Sequence, residues 1–531
     1  MSLQVQDLTY VHPDKDVLFS NISFSVSRGD KCAIIGNNGI GKSTLLHLIA
    51  SKKFPTHGFI QCEEPYLVPQ HFGQFDGMTI AEALGVNDKL RALTSILNGQ
   101  GTEEELVILN DHWTLEEQMV EAFSQWGINY LSSDMMMGHL SGGEKTKVFL
   151  SGIAIHQPDI VLMDEPTNHL DPKSREMLYE YIRQTQHTLL IVSHDRSLLN
   201  ILSSIYEMSS SGMQFYPMNY QAYKSLSDTE YDKKYMQLQS KQKELTKAEK
   251  TVRETMERQQ KHSARGEKQS KKKCVARIAM GNLRNRSEVS SAHLNKVQEG
   301  KLQGLRRDIG ELRDVIPIQA VMKMAIDVSS LYIGKKQIEV KDLVFAYSDQ
   351  TILWKHAPLN FSVYGGERIL LQGCNGCGKS SLLKLITRTL FPTEGEVLWA
   401  NALNILYLDQ EYTCIDNDLT VYEQLEVCNT TKPEHELKML LNRFLFPSST
   451  WNKKCAVLSG GEKMKLSLCR LLAFPKAPNL IIADEPTNNI DISNIEILTA
   501  ALKNYHGSLL LVSHDEQFIQ DVGIDRIIAI E

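Results

Sequence analysis

Short apolar runs alternate with helical patterns along most of the chain. Runs such as CAIIG (32–36), IVLMD (160–164) and LLIVSH (189–194) are flanked by polar turns. Continuous apolar runs of this length between amphipathic helices are typical of buried parallel strands in layered α/β folds. We therefore predict an α/β protein in which helices cover parallel sheets.

The pattern occurs twice, at a distance of 337 residues, so that Gly36 corresponds to Gly373 and Lys42 to Lys379. A period this long indicates a domain duplication rather than a solenoid. We predict one domain over 1–222 and a second over 331–531. The first copy carries about 22 additional residues. We place this insert within 84–122 and predict two short helices, a glycine turn and an acidic bias.

The segment between the copies, 223–330, has a different pattern, with apolar positions at steps of three, four and seven. This spacing predicts two amphipathic helices whose seams pack as an antiparallel hairpin. About 30 residues of helix would reach ~45 Å. The seam positions are Tyr235, Leu238, Leu245, Val252 and Met256 in the first helix, and Leu302, Leu305, Ile309, Leu312 and Ile316 in the second.

Charge divides the chain in the same places. The net charge is −7, but residues 224–327 hold 24 Lys/Arg against 14 Asp/Glu. Most of this excess lies in 258–286, which has ten Lys/Arg and one Glu. We predict that this charge sits at the far tip of the hairpin. A basic block in an acidic protein indicates a polyanionic partner for that block alone.

Composition narrows the setting. No run approaches the ~20 apolar residues that a membrane-spanning helix needs. The start, MSLQVQDLTY, has no charged-then-apolar export signal. The nine cysteines are scattered and odd in number, which fits a reducing compartment better than a disulfide framework. We expect a cytoplasmic protein without a membrane partner.

Two glycine-rich loops match the phosphate-loop pattern G-x-x-x-x-G-K-[ST], each between an apolar strand and a helix. Their backbone N–H groups and the new helix N-terminus can cradle phosphate oxygens, while the lysine reaches the β/γ-phosphates and the serine holds Mg²⁺. The predicted nucleotide contacts are Gly36, Asn37, Gly39, Gly41, Lys42, Ser43 and Thr44, and then Gly373, Asn375, Gly376, Gly378, Lys379, Ser380 and Ser381.

Two carboxylates end a later apolar strand in each copy. Asp164 and Asp484 can hold the Mg²⁺ shell. Glu165 and Glu485 follow them, point the other way along the strand, and can accept a proton from the attacking water. His194 and His514 end another apolar strand, each 30 residues beyond the aspartate, where an imidazole could touch the γ-phosphate.

These motifs are joined by LSGGE at 140–144 and 458–462, and together they resemble the ATP-binding cassette family. The resemblance implies ATP and Mg²⁺ as ligands. It implies that Gln70 and Gln410 approach the metal, that Tyr10 and Tyr347 stack on adenine, and that Asp171 and Asp491 form the D-loops. The implied metal ligands are Ser43, Gln70, Asp164, Ser380, Gln410 and Asp484.

In that family the signature of one cassette faces the phosphate loop of the other. The resemblance thus implies that Ser459, Gly460 and Gly461 cap ATP at Lys42, and that Ser141, Gly142 and Gly143 cap ATP at Lys379. Tethering both cassettes in one chain makes closure intramolecular, so we expect a monomer that hydrolyses ATP at both sites.

The run DEPTNHLD at 164–171, the tandem cassettes and the charged connector are similar to the ABC-F family. That family's ATPases act on ribosomes, with the linker in the exit site near peptidyl-tRNA. The resemblance therefore implies ribosomal RNA and peptidyl-tRNA as partners. The predicted RNA contacts are Lys261, Arg265, Lys268, Lys271, Lys272, Lys273, Arg277, Arg284 and Arg286.

Several alternatives stay open at this point. Within the ribosomal interpretation, the protein could regulate translation or dislodge ribosome-bound antibiotics. Outside it, the chain could energise a membrane transporter or act as an ATPase on other nucleic acids. The basic hairpin argues against the transporter, and its position between two complete cassettes argues against a DNA-associated ATPase.

Overall fold

The computed structural model describes most of both sequence repeats and part of the connector. The described residues are 2–12, 15, 17–209, 212–270, 300–310, 333–347, 351–374, 376–401, 403–409, 412–429, 432–444, 446–488 and 490–530. They divide into two compact units, one built from Met1–Gln221 with Val321–Glu531 and the other from Ala222–Ala320. Both sequence repeats thus belong to the first unit.

The first repeat contains two sheets. An antiparallel sheet has the order β2-β1-β4, and a six-stranded sheet has the order β5-β6-β7-β3-β8-β9, which is parallel except for the β8–β9 pair. The strands are β1 Leu3–Val11, β2 Val17–Val26, β3 Lys31–Ile35, β4 His57–Cys62, β5 Pro65–Val68, β6 Ile160–Asp164, β7 Thr188–Val192, β8 Ser204–Ser209 and β9 Gly212–Tyr216.

The second repeat has the same arrangement. Strand β10 pairs antiparallel with β11, β12 and β14, and a parallel sheet has the order β15-β16-β17-β13-β18. The strands are β10 Lys336–Tyr347, β11 Thr351–Leu353, β12 Leu359–Tyr364, β13 Arg368–Gln372, β14 Glu394–Trp399, β15 Ile405–Leu408, β16 Leu480–Asp484, β17 Ser508–Val512 and β18 Arg526–Ala529. The predicted α/β fold with two phosphate-loop cassettes is confirmed.

Helices cover these sheets and begin where the sequence supplies caps. Ser141 and Ser459, for example, each form a capping box with a glutamate three residues later, which satisfies N–H groups of the first turn. The helices are α1 Lys42–Ile49, α2 Ile80–Ala83, α3 Asn87–Leu97, α4 Glu103–Leu109, α5 Leu115–Gln125, α6 Gly142–His156, α7 Pro172–Gln184, α8 Arg196–Ile201, α9 Tyr220–Ser270, α10 over 300–310, α11 Lys379–Ile386, α12 Val421–Cys428, α13 Glu434–Arg443, α14 Gly460–Ala473, α15 Ile492–Lys503 and α16 Glu516–Val522.

The insert in the first repeat forms the predicted pair of short helices. Helices α3 and α4 pack together and are joined through Gly99, which has a φ of 75°. The Ser95 hydroxyl donates to the Glu105 carboxylate at 3.0 Å and links the two helices. The turn needs glycine because a side chain is strained at this φ.

The connector forms the predicted antiparallel pair within its described part. Lys241 pairs with Asp308 at 2.9 Å and Glu249 with Arg306 at 2.9 Å, so positions rise along α9 as they fall along α10. Leu238, Leu305 and Ile309 are buried along the seam. Seam positions Leu312 and Ile316 lie outside the described residues.

The first connector helix is longer than predicted. Helix α9 has 51 residues, which corresponds to about 76 Å rather than ~45 Å. Its last ten residues include Lys261, Arg265 and Lys268, so the first part of the basic stretch is helical. The prediction that the charge sits at the far tip of the hairpin stays a prediction, because 271–299 lie outside the described residues.

None of the helices in the described ranges is both long enough and apolar enough to span a bilayer. The central parallel strands β6, β7 and β17 are buried at every position, as their apolar runs predicted. Their carboxyl ends meet at one edge of each sheet, and the functional side chains lie along that edge.

Candidate functional site: two nucleotide sites

Each phosphate loop curls around the ammonium group of its own lysine. Lys42 Nζ donates to Gly36 O at 2.7 Å and to Asn37 O at 3.1 Å. Lys379 Nζ donates to Gly373 O at 2.7 Å and to Cys374 O at 3.0 Å. Burial lowers the pKa of Lys42, while the nearby carboxylates of Glu165, Asp491 and Asp164 oppose the shift. Each loop is thus organised around the ammonium group of its own lysine.

The first glycine of each loop allows close approach to a neighbouring strand. A Cβ on Gly36 would lie 2.6 Å from Met208 O, and one on Gly373 would lie 2.5 Å from Ile530 O. Helices α1 and α11 then begin directly at the lysines, so their N-terminal N–H groups face the loop. Gly376 is part of the second phosphate loop, whereas Asn375 lies outside the described residues.

The aspartates at the ends of β6 and β16 meet the serines of the phosphate loops. Ser43 donates to Asp164, and both Ser380 and Tyr407 donate to Asp484. Burial raises the pKa of both aspartates. Asp164 Oδ1 is buried without a hydrogen-bond partner in the described part of the chain. A buried free carboxylate oxygen beside a serine hydroxyl fits a hard divalent cation.

The two glutamates predicted to be general bases do not continue their strands. Strands β6 and β16 end at Asp164 and Asp484, and Glu165 and Glu485 have φ values of 49° and 48°. The predicted alternation along the strand was therefore wrong. A left-handed turn, held by hydrogen bonds of 2.9 Å from their N–H groups to Val192 O and Val512 O, aims these carboxylates.

Both glutamates are buried carboxyl groups. Burial raises the pKa of Glu165 to about 8 and that of Glu485 to about 7. Arg175 opposes the shift at Glu485. Oε1 of each glutamate is buried and makes no hydrogen bond among the described residues. A carboxyl group with a pKa near neutrality and a free oxygen suits a general base for water.

A histidine accompanies each glutamate. His194 Nε2 lies 3.5 Å from Glu165 Oε1, and His514 Nε2 lies 3.3 Å from Glu485 Oε1. Burial lowers the pKa of His194 to about 3 and that of His514 to about 4. Both imidazoles are therefore neutral at pH 7, and these contacts are not charged ion pairs. His194 Nε2 also lies 3.2 Å from Asn38 Oδ1 in the phosphate loop.

A cavity of about 480 Å³ opens beside Lys42 and is lined by both cassettes. Gln70 belongs to it, as predicted, whereas Gln410 lies outside the described residues. The second cassette contributes seven residues to the lining of this cavity. They are Thr487, Asn488, Ile490, Ile495, His514, Asp515 and Glu516.

The D-loops make the direct contacts between the cassettes. The N–H of Asn38 donates to Asp491 Oδ2 at 3.1 Å, and Arg175 donates to His514 O at 3.1 Å. Arg196 pairs with Asp521 at 3.2 Å. The two cassettes therefore meet within one compact unit, through residues that adjoin both nucleotide sites.

The signature serines are engaged within their own cassettes. The hydroxyl of Ser141 donates to Glu144 at 2.7 Å, and that of Ser459 donates to Glu462 at 3.0 Å. Gly142 and Gly143 approach His169, and Gly461 approaches Asn494. Ser459, Gly460 and Gly461 are not among the residues that line the cavity. Capping of ATP by the opposite signature stays a prediction for the ATP-bound state.

The strand registers correct one predicted site residue. Thr9 in β1 pairs with His57, and Val344 in β10 pairs with Glu394, at equivalent points of the two repeats. Three residues after these points lie His12 in the first repeat and Tyr347 in the second. The residue equivalent to Tyr347 is therefore His12 and not Tyr10. Val11 N and Ala346 N confirm this equivalence, because each donates at 3.0 Å to the threonine of an F-P-T segment.

The surroundings of the rings agree with this register. Tyr10 packs on Phe19 at the edge of the first core, and its counterpart Phe345 is buried. His12 lines the nucleotide cavity, and the Tyr347 hydroxyl lies 3.1 Å from that of Ser381. A constant spacing to the phosphate loop suggested Tyr10, but the second repeat has two additional residues between the core positions Trp354 and Phe361.

Sequence reasoning also missed three residues that structure brings to the sites. These are Asn38, Tyr407 and Arg175. Asn38 is a variable position of the phosphate-loop motif, and Tyr407 reaches Asp484 only because β15 and β16 are adjacent. Of the predicted RNA contacts, Lys261 is exposed on α9, and the positions from Lys271 to Arg286 lie outside the described residues.

Comparison with known proteins was consistent with this site. The ABC transporter family matches residues 19–168 and 357–488. The putative ATP-binding protein YdiF of Bacillus subtilis is 30% identical, covering 98% of this chain and 79% of that protein. ABC transporter F family member 5 of Arabidopsis thaliana is 28% identical, covering 97% and 73%. Uup of Escherichia coli is 28% identical, covering 95% and 76%.

Solved structures show the same tandem fold at lower identity. The crystal structure of the archaeal ribosome recycling factor aABCE1 with the stalk protein aP1 matches with a TM-score of 0.57 at 18% identity. The match covers 98% of this chain and 87% of that chain. At this identity, the likeness concerns the fold alone.

Proposed function

Because this chain belongs to the ABC transporter family, in its ABC-F group, and is an ATPase, we propose that it works on ribosomes and hydrolyses ATP at both cassette sites. The observation that carries the hydrolytic part is the pair of buried glutamates, Glu165 and Glu485. Each lies at the edge of a phosphate loop, beside a neutral histidine.

The first site illustrates the division of roles. Lys42 and the loop N–H groups bind the β/γ-phosphates of ATP. Ser43, Gln70 and Asp164 would hold Mg²⁺, and Ser380, Gln410 and Asp484 would hold it at the second site. Bound there, Mg²⁺ neutralises charge on the phosphate oxygens. The free Oδ1 of Asp164 supports this assignment.

Glu165 and Glu485 act as the general bases. Their raised pKa values place them close to the pH at which proton acceptance from water is efficient. His194 and His514 orient these carboxylates, since each donates its backbone N–H to the glutamate beside it. The imidazoles are neutral and can contact a γ-phosphate without a second cation in the site.

Substitution of both bases tests this assignment. Glu165→Gln with Glu485→Gln should lower ATP turnover by roughly 10²-fold or more, because a positioned base contributes about 10²–10⁴ in rate. ATP should remain bound. Glu180→Gln, on the exposed face of α7, is the matched control and should hydrolyse ATP normally. Turnover of the double variant at the wild-type rate would show that these glutamates are not the bases.

The ribosomal part of the proposal rests on the family and on the connector. Residues 258–286 carry ten Lys/Arg and one Glu, a charge that ribosomal RNA would neutralise. Helix α9 includes the first of these basic residues, Lys261, Arg265 and Lys268. We propose that the connector enters the exit site near peptidyl-tRNA when the cassettes are closed on ATP.

The Glu165→Gln/Glu485→Gln protein should sediment with ribosomes when ATP is present and less without it. Substitution of Lys271, Lys272 and Lys273 by Ala should weaken this binding and make its loss with salt less steep, while ATP binding is retained. Recovery with membranes instead would favour a transporter subunit. Binding to free nucleic acid but not to ribosomes would favour the other alternative.

Two measurements distinguish the two roles that the protein could have on ribosomes. A regulator of translation should change polysome profiles in the absence of drugs. A protein that dislodges antibiotics should raise the minimal inhibitory concentration of ribosome-targeting drugs when it is expressed. The variant with three lysines replaced should lose whichever effect the wild-type protein has.

A further inference from the structure

The two D-loops carry different residues at equivalent positions. Asp171 caps α7 by accepting the N–H of Ser174 at 2.7 Å, and Asp491 caps α15 by accepting the N–H of Asn494 at 2.8 Å. Directly after Ser174 the first cassette has Arg175, and directly after Asn494 the second has Ile495. The cassettes therefore offer each other a cation on one side and an apolar side chain on the other.

Arg175 joins its own D-loop to the second nucleotide site. Its Nε donates to Leu170 O at 3.1 Å, which anchors the guanidinium within the first cassette. Its Nη1 donates to His514 O at 3.1 Å. His514 is the residue whose imidazole lies 3.3 Å from Glu485 Oε1 and whose N–H bonds the same carboxylate. The Arg175 side chain thus connects the first D-loop to the histidine that contacts Glu485, the proposed general base of the second site.

The reverse contact has different chemistry. At the first site, Asp491 Oδ2 accepts the N–H of Asn38 at 3.1 Å, and Ile495 lines the cavity with Glu165 and His194. Isoleucine has no donor, so it cannot bond the carbonyl of His194 as Arg175 bonds that of His514. At the first site, the other cassette therefore contacts the phosphate loop. At the second site, it contacts the carbonyl of the histidine.

We propose that Arg175 is a positioning residue for the second site only: the first cassette supplies it to hold the His514 segment, and thereby Glu485, in the geometry for hydrolysis. This proposal rests on the role of Glu485 proposed above. It makes turnover at the second site depend on docking of the first D-loop, through a hydrogen bond to the histidine carbonyl that Ile495 cannot form at the first site. The two sites, which have the same motifs, are then unequal in function.

The physical reason is preorganisation. Ser513 and His514 follow the end of β17, and the carbonyl of His514 accepts from Arg175 of the first cassette. A charged donor at this carbonyl fixes the segment, and a fixed base loses less entropy on reaching the reactive geometry. A hydrogen bond from a charged donor changes a rate by roughly 10- to 100-fold when it is needed in the transition state.

The test measures each site alone in the full-length protein. In the Glu165→Gln background only the second site turns over, and in the Glu485→Gln background only the first. Arg175→Met keeps the length of the side chain but removes its charge and donors. It should lower kcat at the second site by roughly 10- to 100-fold with little change in KM, and should leave the first site within about twofold.

Arg175→Lys should restore part of the second-site kcat, because lysine keeps the charge and one donor. Arg183→Ala, an exposed arginine on the same helix that pairs with Glu176, is the control and should change neither site. Equal loss at both sites, or loss through KM alone, would overturn the proposal, as would normal second-site turnover in the Arg175→Met protein. Full activity of the Glu165→Gln/Glu485→Gln protein would instead overturn the underlying role of Glu485.

Discussion

The ring of Tyr10 lies 6.2 Å from the ring of Phe19 and packs at the edge of the first hydrophobic core. Two residues along the chain, His12 lines the nucleotide cavity, in the register position that Tyr347 holds in the second repeat. We therefore propose that His12 and Tyr347 occupy the adenine positions, and that Tyr10 packs in the core instead.

Substitution separates these roles. His12→Ala should weaken ATP binding at the first site and Tyr347→Ala at the second, by roughly 5- to 100-fold, since stacking of a base on an aromatic ring contributes about 1–3 kcal/mol. Tyr10→Phe should bind ATP normally, because Phe345 already occupies the equivalent core position. Titration with a fluorescent ATP analogue in the two single-site backgrounds measures each case. Weaker binding by Tyr10→Phe than by His12→Ala would contradict the register.

A glycine in β14 maintains the strand register behind Tyr347. Gly395 has a φ of 80°, and a Cβ there would lie 2.2 Å from Asp342 O in β10. Gly395→Ala should destabilise the protein by more than about 2 kcal/mol, because both the backbone and its neighbour must move. Gly29 has nearly the same φ, 81°, but open space around it, so Gly29→Ala should cost only about 1–2 kcal/mol.

Urea unfolding without nucleotide measures this pair. The comparison holds the φ penalty nearly constant and varies only the steric contact. Equal losses of unfolding free energy in the two variants would show that the β10–β14 approach is less tight than described.

His194 and His514 should each contribute a loss of stability to the nucleotide-free protein in mild acid. His194 and His514 keep pKa values of about 3 and about 4 in the folded state, whereas an unfolded histidine titrates near 6.5. Between pH 7 and 5 the unfolded chain therefore takes up protons that the folded protein does not, and stability falls by up to about 2 kcal/mol per histidine.

His194→Gln with His514→Gln should remove this loss, so that stability falls less, or rises more, between pH 7 and pH 5 than it does in the wild-type protein. Glu165 and Glu485, whose pKa values are raised by burial, titrate in the opposite sense but are present in both proteins. Denaturant midpoints at pH 7 and pH 5 give the comparison. An unchanged slope in the double variant would mean that other groups dominate the acid sensitivity.

The connector hairpin depends on its seam more than on its ion pairs. Leu305 is buried between α9 and α10, and Leu305→Ala should cost about 2–3 kcal/mol and expose the connector to limited proteolysis. Lys241 and Asp308 are 38% and 42% exposed, so Lys241→Ala should cost less than about 1 kcal/mol and leave the digestion pattern unchanged. Equal protease sensitivity of the two variants would contradict this ranking.

Much of the fold could be predicted because the pattern is local. Apolar runs predicted strands β3, β6 and β7, and the serine–glutamate caps are visible at the start of α6 and α14. The length of α9 could not be predicted, because its apolar seam ends before the helix does and polar helical residues give no periodic signal. The left-handed turn at Glu165 also has no sequence signature, since hydrogen bonding to a neighbouring strand imposes it.

The sequence by itself determined which chemistry this protein contains: two phosphate loops, their carboxylates and their histidines. Motif chemistry depends on residue type and short spacing, and both are written in the chain. Only the tertiary structure decided that His12 and Tyr347 hold equivalent register positions and that Arg175 reaches His514. Those relationships depend on strand register and on contacts between residues more than 300 positions apart. No local pattern encodes either of them.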